Sequence, residues 1–139
     1  MKQKIIICGA GRVGISITEH LSNEGFDITV IDSNVDAIQK ATELYDVQGV
    51  LGLASHPNVL EDAGINDADM IIAVTQSDEI NIAACHIAKS IFSTPTMIIR
   101  IRSKAYLEPR YVEYLLKDVK VNRIIPPEDE VASAIVNQW

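Results

Sequence analysis

The chain has 139 residues, of which 47% are hydrophobic and 22% charged, a length and composition typical of one folded domain rather than a disordered chain. Its formal net charge of −7 disfavours nucleic acid as a partner, because proteins that follow a phosphate backbone present a basic stripe. No apolar run reaches the roughly 18 residues that span a bilayer, and Met1 is not followed by a signal segment, so we expect a cytoplasmic protein without direct membrane insertion.

The first predicted strand, at residues 4–8, runs into a glycine-rich turn at residues 9–14, GAGRVG. Glycines at this G-x-G-x-x-G spacing, between an apolar strand and a helical pattern, are typical of a dinucleotide-binding turn. Gly9 permits the tight turn, Gly11 lets the backbone approach a pyrophosphate, and Gly14 lets the helix pack close to the strand. The predicted cofactor-binding residues of this turn are Gly9, Gly11, Arg12, Val13 and Gly14.

A second apolar strand, at residues 28–32, ends in Asp32. An acidic side chain at this place accepts hydrogen bonds from the ribose hydroxyl groups of adenosine, and its charge would repel the 2′-phosphate of NADP. Ser33, three residues before Asp36, predicts a capping box at the start of the second helix. Because both residues stand at the carboxyl end of this strand, Asp32 and Ser33 join the predicted site.

Strands and helices alternate along the rest of the chain, which predicts a Rossmann-type, doubly wound parallel sheet of about six strands. The predicted strands are residues 4–8, 28–32, 47–51, 69–75, 96–102 and 119–125. The predicted helices are residues 12–24, 34–45, 56–63, 78–92, 105–117 and 127–139. In the fourth helix, one face at helical spacing predicts core residues: Ile80, Ala83, Ala84, Ile87 and Ile91.

Ligands of open α/β sheets bind outside the carboxyl ends of the strands. Residues 52–55, after the third strand, either pass beneath an adenine ring or form an ordinary loop. Residues 75–81, after the fourth strand, either line the ligand or simply cap the following helix.

Two arginines near the end of the fifth strand are candidate phosphate ligands. Arg100 and Arg102 alternate with isoleucines, so we expect both to point to one face. Their partner is either a phosphate, which arginine binds in a bidentate way, or a salt bridge with Asp78 or Glu79.

The chain shows no convincing catalytic or metal-binding set. The three histidines lie on predicted helices without a carboxylate at relay spacing, and together with the cysteines they form no close zinc-ligand spacing. Cys8 and Cys85 are predicted to be buried structural thiols, with redox sensing as the alternative. Because one Rossmann unit fills residues 1–125, we expect nucleotide sensing without turnover rather than an enzyme.

The segment at residues 126–139 begins with two prolines, and its predicted helix carries an apolar stripe at Val131, Ile135 and Trp139. It either folds back on its own domain or crosses over to a partner subunit or a second lobe. We assign it as a crossover or dimerisation helix.

These features together resemble the N-terminal nucleotide-binding domain of the RCK/KTN (TrkA-N) family. The resemblance covers essentially the whole chain, and its most specific carrier is the run at residues 68–81, ADMIIAVTQSDEIN. It implies a cytoplasmic regulatory domain, peripheral to the cell membrane, that binds NAD(H), with ATP or ADP possible in the same cleft. It also implies a homo-oligomer, a dimer that can assemble into a ring, acting on a membrane potassium-translocating subunit. A smaller C-terminal lobe follows in full-length members, so we expect this chain to be a piece of a longer protein.

The resemblance also implies roles for individual residues. After the glycine of the loop that follows the third strand, the family often has an acidic residue. This chain has Leu53 there, which puts the contacts of that loop to the base or ribose in doubt. Arg102 and Lys104 match phosphate ligands only weakly. The implied ligand residues are Gly9, Gly11 and Gly14 for phosphates, Asp32 for ribose, Ala54 and Ser55 for adenine, Thr75 and Glu79 for the far side of the cleft, and Arg12 and Arg100 for terminal phosphates.

The main functional hypothesis is thus a regulatory nucleotide sensor of a potassium uptake transporter. The alternative is the cofactor-binding half of an NAD-dependent dehydrogenase, which the fold does not exclude. A redox-responsive transcription regulator is disfavoured by the acidic charge.

Overall fold

The computed structural model describes residues 2–127, which form one six-stranded parallel sheet with helices on both faces. The strands are β1 (Lys4–Cys8), β2 (Asp27–Asp32), β3 (Gln48–Leu51), β4 (Met70–Ala73), β5 (Thr96–Arg100) and β6 (Arg123–Ile125). The α-helices are α1 (Arg12–Asn23), α2 (Val35–Leu44), α3 (Pro57–Asp62), α4 (Asp78–Ser90) and α5 (Pro109–Tyr114). A 3₁₀ turn at Ile65–Asp67 and a π-helical stretch at Leu115–Val119 complete the described elements.

The strand order is β3-β2-β1-β4-β5-β6, so the chain reverses its direction of growth between β1 and β4. Such a reversal leaves a crevice at the carboxyl ends of the two strands, where open α/β sheets bind ligands. The register brings these ends level, because Cys8 pairs with Ile31 on one side and with Ala73 on the other. The predicted Rossmann-type fold is confirmed.

Both faces of the sheet are covered, as the unbroken apolar runs predict. Ile5 and Ile7 point to the face covered by α1 and α2, whereas Ile6 and Cys8 point to the face covered by α3 and α4. All four side chains are fully buried. β1 is therefore the centre of the core, and its end holds the glycine turn in a rigid frame.

The predicted core face of α4 is partly wrong. Ile80 and Ile87 are only half-buried, and Ile91, which lies beyond the end of the helix, is 60% exposed. The side chains that α4 buries are small or polar, because the helix packs close to the sheet: Asp78, Asn81, Ala84, Cys85 and Ala88.

The last predicted strand is shorter than expected. Residues 119–122 are not a strand, because the preceding helix continues to Val119 and ends at Lys120 in the left-handed region, with φ of 68°. The amide of Val121 then donates to the carbonyl of Leu115 at 3.1 Å, a pattern that closes helix ends. Leu115 and Val119, four residues apart, are both buried. Their helical spacing therefore decides the structure here, and not the alternating pattern that predicted a strand from residue 119.

The predicted helix at the end of the chain is not tested. Val131, Ile135 and Trp139 lie outside the described residues, which end at Pro127. Within residues 2–127, no helix is both long and apolar enough to cross a bilayer.

Candidate functional site

A cleft of about 370 Å³ opens at the carboxyl edge of the sheet, above the crevice between β1 and β4. Seven of the predicted site residues line it: Gly11, Val13, Asp32, Ser33, Ala54, Thr75 and Arg100. Five do not: Gly9, Arg12, Gly14, Ser55 and Glu79. Other side chains on the cleft wall include those of Asn34, Leu53, Gln76 and Ser77. The structure thus brings most of the predicted residues to one place.

The three glycines of the turn differ in what surrounds them. Gly9 has φ of +113°, and a Cβ there would lie 2.9 Å from the carbonyl oxygen of Val74. A Cβ on Gly14 would overlap the carbonyl oxygen of Gly9. A Cβ on Gly11 would meet nothing within 4 Å. Gly9 and Gly14 therefore shape the turn, while Gly11 leaves open space in the cleft.

That open space lies at the N-terminus of α1. Gly11 is the residue that precedes the helix, and no side chain caps its first turn. The free amide groups of a first turn, together with the helix dipole, attract anions. The arrangement suits a phosphate or pyrophosphate above Gly11.

Asp32 connects the glycine turn to the start of α2. Its Oδ2 accepts a hydrogen bond from the amide of Ala10 at 2.7 Å, and its Oδ1 accepts one from the amide of Asn34 at 2.8 Å. A carboxylate oxygen can accept more than one hydrogen bond, so Asp32 can still receive ribose hydroxyl groups from the cleft. Its orientation is already set before a ligand arrives.

The residue that caps α2 is Asn34, not the predicted Ser33. The Oδ1 of Asn34 accepts hydrogen bonds from the amides of Asp36 at 2.8 Å and Ala37 at 3.2 Å. Ser33 lies one residue too early for this geometry, because the N-cap bonds to the second and third helical amides. Ser33 remains on the cleft wall.

The opposite wall is held together by Asn81, a fully buried side chain of α4. Its Oδ1 accepts hydrogen bonds from the amide of Thr75 at 2.9 Å and from the Thr75 hydroxyl group at 2.7 Å. Its Nδ2 donates to the carbonyls of Thr75 at 3.2 Å and Arg100 at 3.0 Å. The side-chain amide of Asn81 therefore joins the ends of β4 and β5. Our site prediction did not include Asn81. A polar residue on the buried face of an apolar helix was the available signal.

Arg100 places a positive charge on this wall. It is only 6% exposed, and its Nη1 donates to the carbonyl of Val74 at 3.4 Å and to that of Thr75 at 3.3 Å. Guanidinium groups stay charged when buried and bind phosphates in a bidentate way. Arg100 is thus suited to the terminal phosphates of a ligand in the cleft.

The prediction that Arg102 shares the face of Arg100 is wrong. β5 ends at Arg100, and Arg102 is exposed in a shallow depression beside the cleft. The amides of Arg102 and Ser103 donate to the two carboxylate oxygens of Asp78, each at 2.8 Å. Asp78 therefore anchors the backbone after β5 to the start of α4.

Glu79 points away from the cleft wall toward the same segment. Its Oε2 accepts a hydrogen bond from the hydroxyl group of Tyr106 at 2.9 Å, which raises the pKa of Tyr106. The side chain is exposed and does not line the cleft. A ligand role for Glu79 stays a prediction.

Both cysteines are free and buried, as predicted. Burial raises the pKa of Cys8 to about 12, and it also raises the pKa of Cys85, with neighbouring Cys8 adding to the effect. Because the thiolate is the reactive form, we expect neither thiol of the folded chain to react with Ellman's reagent at pH 8. Both should react once the chain is unfolded in guanidinium chloride.

A Cys8→Ala variant is the control for this measurement and should release one thiol in denaturant instead of two. Rapid reaction of either thiol in the folded chain would contradict the buried state and would favour redox sensing.

Among the described residues, no group of three or more His, Cys, Asp or Glu side chains is placed to hold a metal ion.

Comparison with known proteins places this geometry in context. A family model described as the TrkA-N domain matches residues 5–127. The Trk system potassium uptake protein TrkA of Azorhizobium caulinodans is 44% identical over 136 residues, 97% of this chain and 30% of that protein. The protein of the same name from Vibrio alginolyticus is 46% identical over 132 residues, 95% of this chain and 29% of that protein. The chain thus spans less than a third of the length of these curated relatives.

Solved structures show the same fold at low sequence identity. The TrkA-N domain of the inner membrane protein ybaL from Escherichia coli has a TM-score of 0.79 and 19% identity, covering 100% of this chain and 98% of that one. A GsuK channel bound to NAD has a TM-score of 0.71 and 20% identity, covering 89% and 21%. GsuK bound to ADP has a TM-score of 0.72 and 21% identity, covering 91% and 31%.

Proposed function

We propose a function for this chain from the family to which it belongs, the TrkA-N domain family. The chain is a regulatory nucleotide-binding domain that senses NAD(H) or adenine nucleotides. Through this binding it gates a potassium uptake transporter. The observation that carries the proposal is the cleft at the strand-order reversal, with Asp32 on one wall and Arg100 on the other. The names of the relatives, which are potassium uptake proteins, support the transport role.

The proposed ligand pose follows from the cleft. Phosphates lie above Gly11 at the uncapped start of α1, where amide groups and the helix dipole face them. The adenosine ribose hydrogen-bonds to Asp32 at the end of β2. Arg100, across the cleft, meets the terminal phosphates of a nucleoside polyphosphate or the second half of a dinucleotide.

We propose NAD(H) as the ligand, with ATP or ADP able to occupy the same cleft. Structural neighbours bound to NAD and to ADP support both. NADPH is the disfavoured ligand, because its 2′-phosphate would approach the carboxylate of Asp32.

The proposed mechanism is a shift between arrangements of domains, not turnover. A ligand in the cleft shifts this equilibrium only if it binds one arrangement of domains more tightly than the other. Asp78 extends the wall built from β4 and β5 to the segment after β5 through the amides of Arg102 and Ser103. A coupling free energy of about 1–3 kcal/mol is typical of such ligands.

We also propose that the chain works as a homo-oligomer in the cytoplasm, on a membrane potassium-translocating subunit. Residues 1–125 would form the nucleotide-binding domain and residues 126–139 the crossover to a partner. The dehydrogenase alternative shares the cleft and therefore differs only in turnover. Consumption of NADH by the chain with a carbonyl substrate would favour it.

Calorimetric titration of the chain with NAD⁺, NADH, ATP, ADP and NADPH tests the proposal. We expect NADH and ATP to bind and NADPH to bind more weakly than NADH. Asp32→Ala should weaken binding of NADH and ATP by about tenfold, or about 1.4 kcal/mol, because it removes the acceptor of the ribose hydroxyl groups. Arg100→Ala should weaken the binding of ATP more than the binding of NADH, because it removes a positive charge placed for terminal phosphates.

Arg102→Ala is the matched control, because Arg102 is an exposed arginine near Arg100 that does not line the cleft. It should leave the affinity for ATP within about twofold of the original chain. An equal loss in both arginine variants would mean that only the general positive field matters. The absence of binding for every adenine nucleotide would refute the proposed function.

A further inference from the structure

The cleft has a distinct end at which the base of a bound nucleotide would lie, an inference that rests on the proposed function. Phosphates above Gly11 and ribose at Asp32 define a direction from β1 to β2. Continued in the same direction, the ligand reaches the loop after β3. Leu53, Ala54 and Ala37 line the cleft there, so these residues would contact the base.

The side chains at this end are apolar. Ala54 is buried and Leu53 is 39% exposed, which leaves part of the leucine side chain open to a ligand. Beyond Asp32, no described residue lining this end of the cleft has a charged side chain. The base would therefore be held mainly by apolar contact.

One side-chain acceptor near this end already has partners within the chain. The Oδ1 of Asn34 accepts hydrogen bonds from the amides of Asp36 and Ala37 as the cap of α2. With two hydrogen bonds already accepted, this amide oxygen has little capacity left to recognise an exocyclic amino group.

Purine bases differ at position 6, where adenine has an amino donor and hypoxanthine or guanine has an oxo acceptor. A site strongly rejects an analogue when it is built to hydrogen-bond the group that the analogue lacks, whereas an apolar surface discriminates weakly. We propose that this site does not read position 6, that it accepts purine nucleoside diphosphates with either a 6-amino or a 6-oxo group, and that Leu53 determines this tolerance.

Titration with ADP and with inosine 5′-diphosphate, measured by calorimetry, tests the proposal in the full 139-residue chain. The two dissociation constants should differ by less than about threefold, because an apolar contact treats both bases alike. Leu53→Asp should change this ratio by at least about tenfold, because a carboxylate only accepts hydrogen bonds. Opposite position 6 it favours the 6-amino group of ADP, and opposite position 1 it favours the N1–H of inosine 5′-diphosphate. The ratio of the two constants cancels any general repulsion between the new charge and the phosphates.

Two further variants serve as controls. Leu53→Asn has the shape of aspartate without its charge, and because an amide both donates and accepts it should leave the ratio below about threefold. Leu51→Asp places the same charge on a 55% exposed residue that does not line the cleft, and it should also leave the ratio unchanged.

Contrary results point to different failures. A preference of the original chain for ADP of more than about tenfold would overturn the tolerance while leaving the proposed nucleotide site intact. An unchanged ratio in Leu53→Asp would overturn the placement of Leu53 against the base. If neither diphosphate bound, the proposed function would fail, and this inference with it.

Discussion

Replacement of Gly14 by alanine is expected to destabilise the folded chain by about 3 kcal/mol or more, as overpacking against rigid backbone does. The new Cβ would overlap the carbonyl oxygen of Gly9 and lie 2.7 Å from its carbonyl carbon. Gly9 has little room to move, because its amide donates to the carbonyl of Ile31 at 2.7 Å and its Cα faces Val74. Guanidinium chloride unfolding followed by circular dichroism would measure the loss.

Gly11→Ala is the matched control, because it adds the same methyl group three residues earlier in the turn. A Cβ at Gly11 meets nothing within 4 Å, and its φ of −78° suits alanine. We expect stability within about 1 kcal/mol of the original chain, but weaker binding of ATP and NADH, since the methyl group takes space proposed for phosphate. Equal stability of the Gly14→Ala and Gly11→Ala variants would refute the close contact between α1 and the turn.

Asn81→Leu is expected to cost about 3 kcal/mol, because leucine has a similar size but no polar atoms. The substitution leaves the amide and hydroxyl groups of Thr75 without the Asn81 acceptor and removes the donor to the carbonyls of Thr75 and Arg100. Each buried polar group that loses its partner costs roughly 1–3 kcal/mol. The free energy of unfolding, from the same denaturant titration, would show the effect. Nucleotide affinity should also fall in the folded fraction, since Thr75 and Arg100 line the cleft.

The same substitution at a second asparagine provides the control. Asn122 also accepts a hydrogen bond through its Oδ1, from the amide of Met97 at 2.7 Å, but it is exposed. Because one hydrogen bond is lost instead of four, Asn122→Leu should cost less, about 1–2 kcal/mol. If Asn81→Leu cost no more than Asn122→Leu, the buried amide would not be what joins β4 to β5.

Much of the fold could be predicted because its signals are local. The apolar run of β1, the glycines after it and the acidic end of β2 are each contained in a few residues, and their spacing alone predicts a nucleotide-binding turn. Gly9 and Gly14 were assigned the roles that their geometry supports, since backbone crowding follows directly from the tight turn between β1 and α1.

Contacts between distant residues were predicted less well. The alternation around Arg100 and Arg102 indicated a shared face, but β5 ends at Arg100 and Asp78 binds the backbone amides of Arg102 and Ser103. The helical pattern of α4 indicated fully buried isoleucines, but Ile80 and Ile87 pack against the core only half-buried, and the fully buried positions of the helix hold small or polar residues. The outcome in both cases depends on an element that is distant in the sequence.

The sequence by itself therefore determined the class of fold, the glycine turn and the acidic residue that ends β2, because hydrophobic period and glycine spacing are properties of short segments. Only the tertiary structure decided which polar groups face the cleft and which are used within the chain. Asn34 caps α2, Asn81 joins two strands, and Leu53 lines the cleft at the proposed base end. The physical reason is that a hydrogen-bonding group has a limited number of partners, and the register of distant strands selects them.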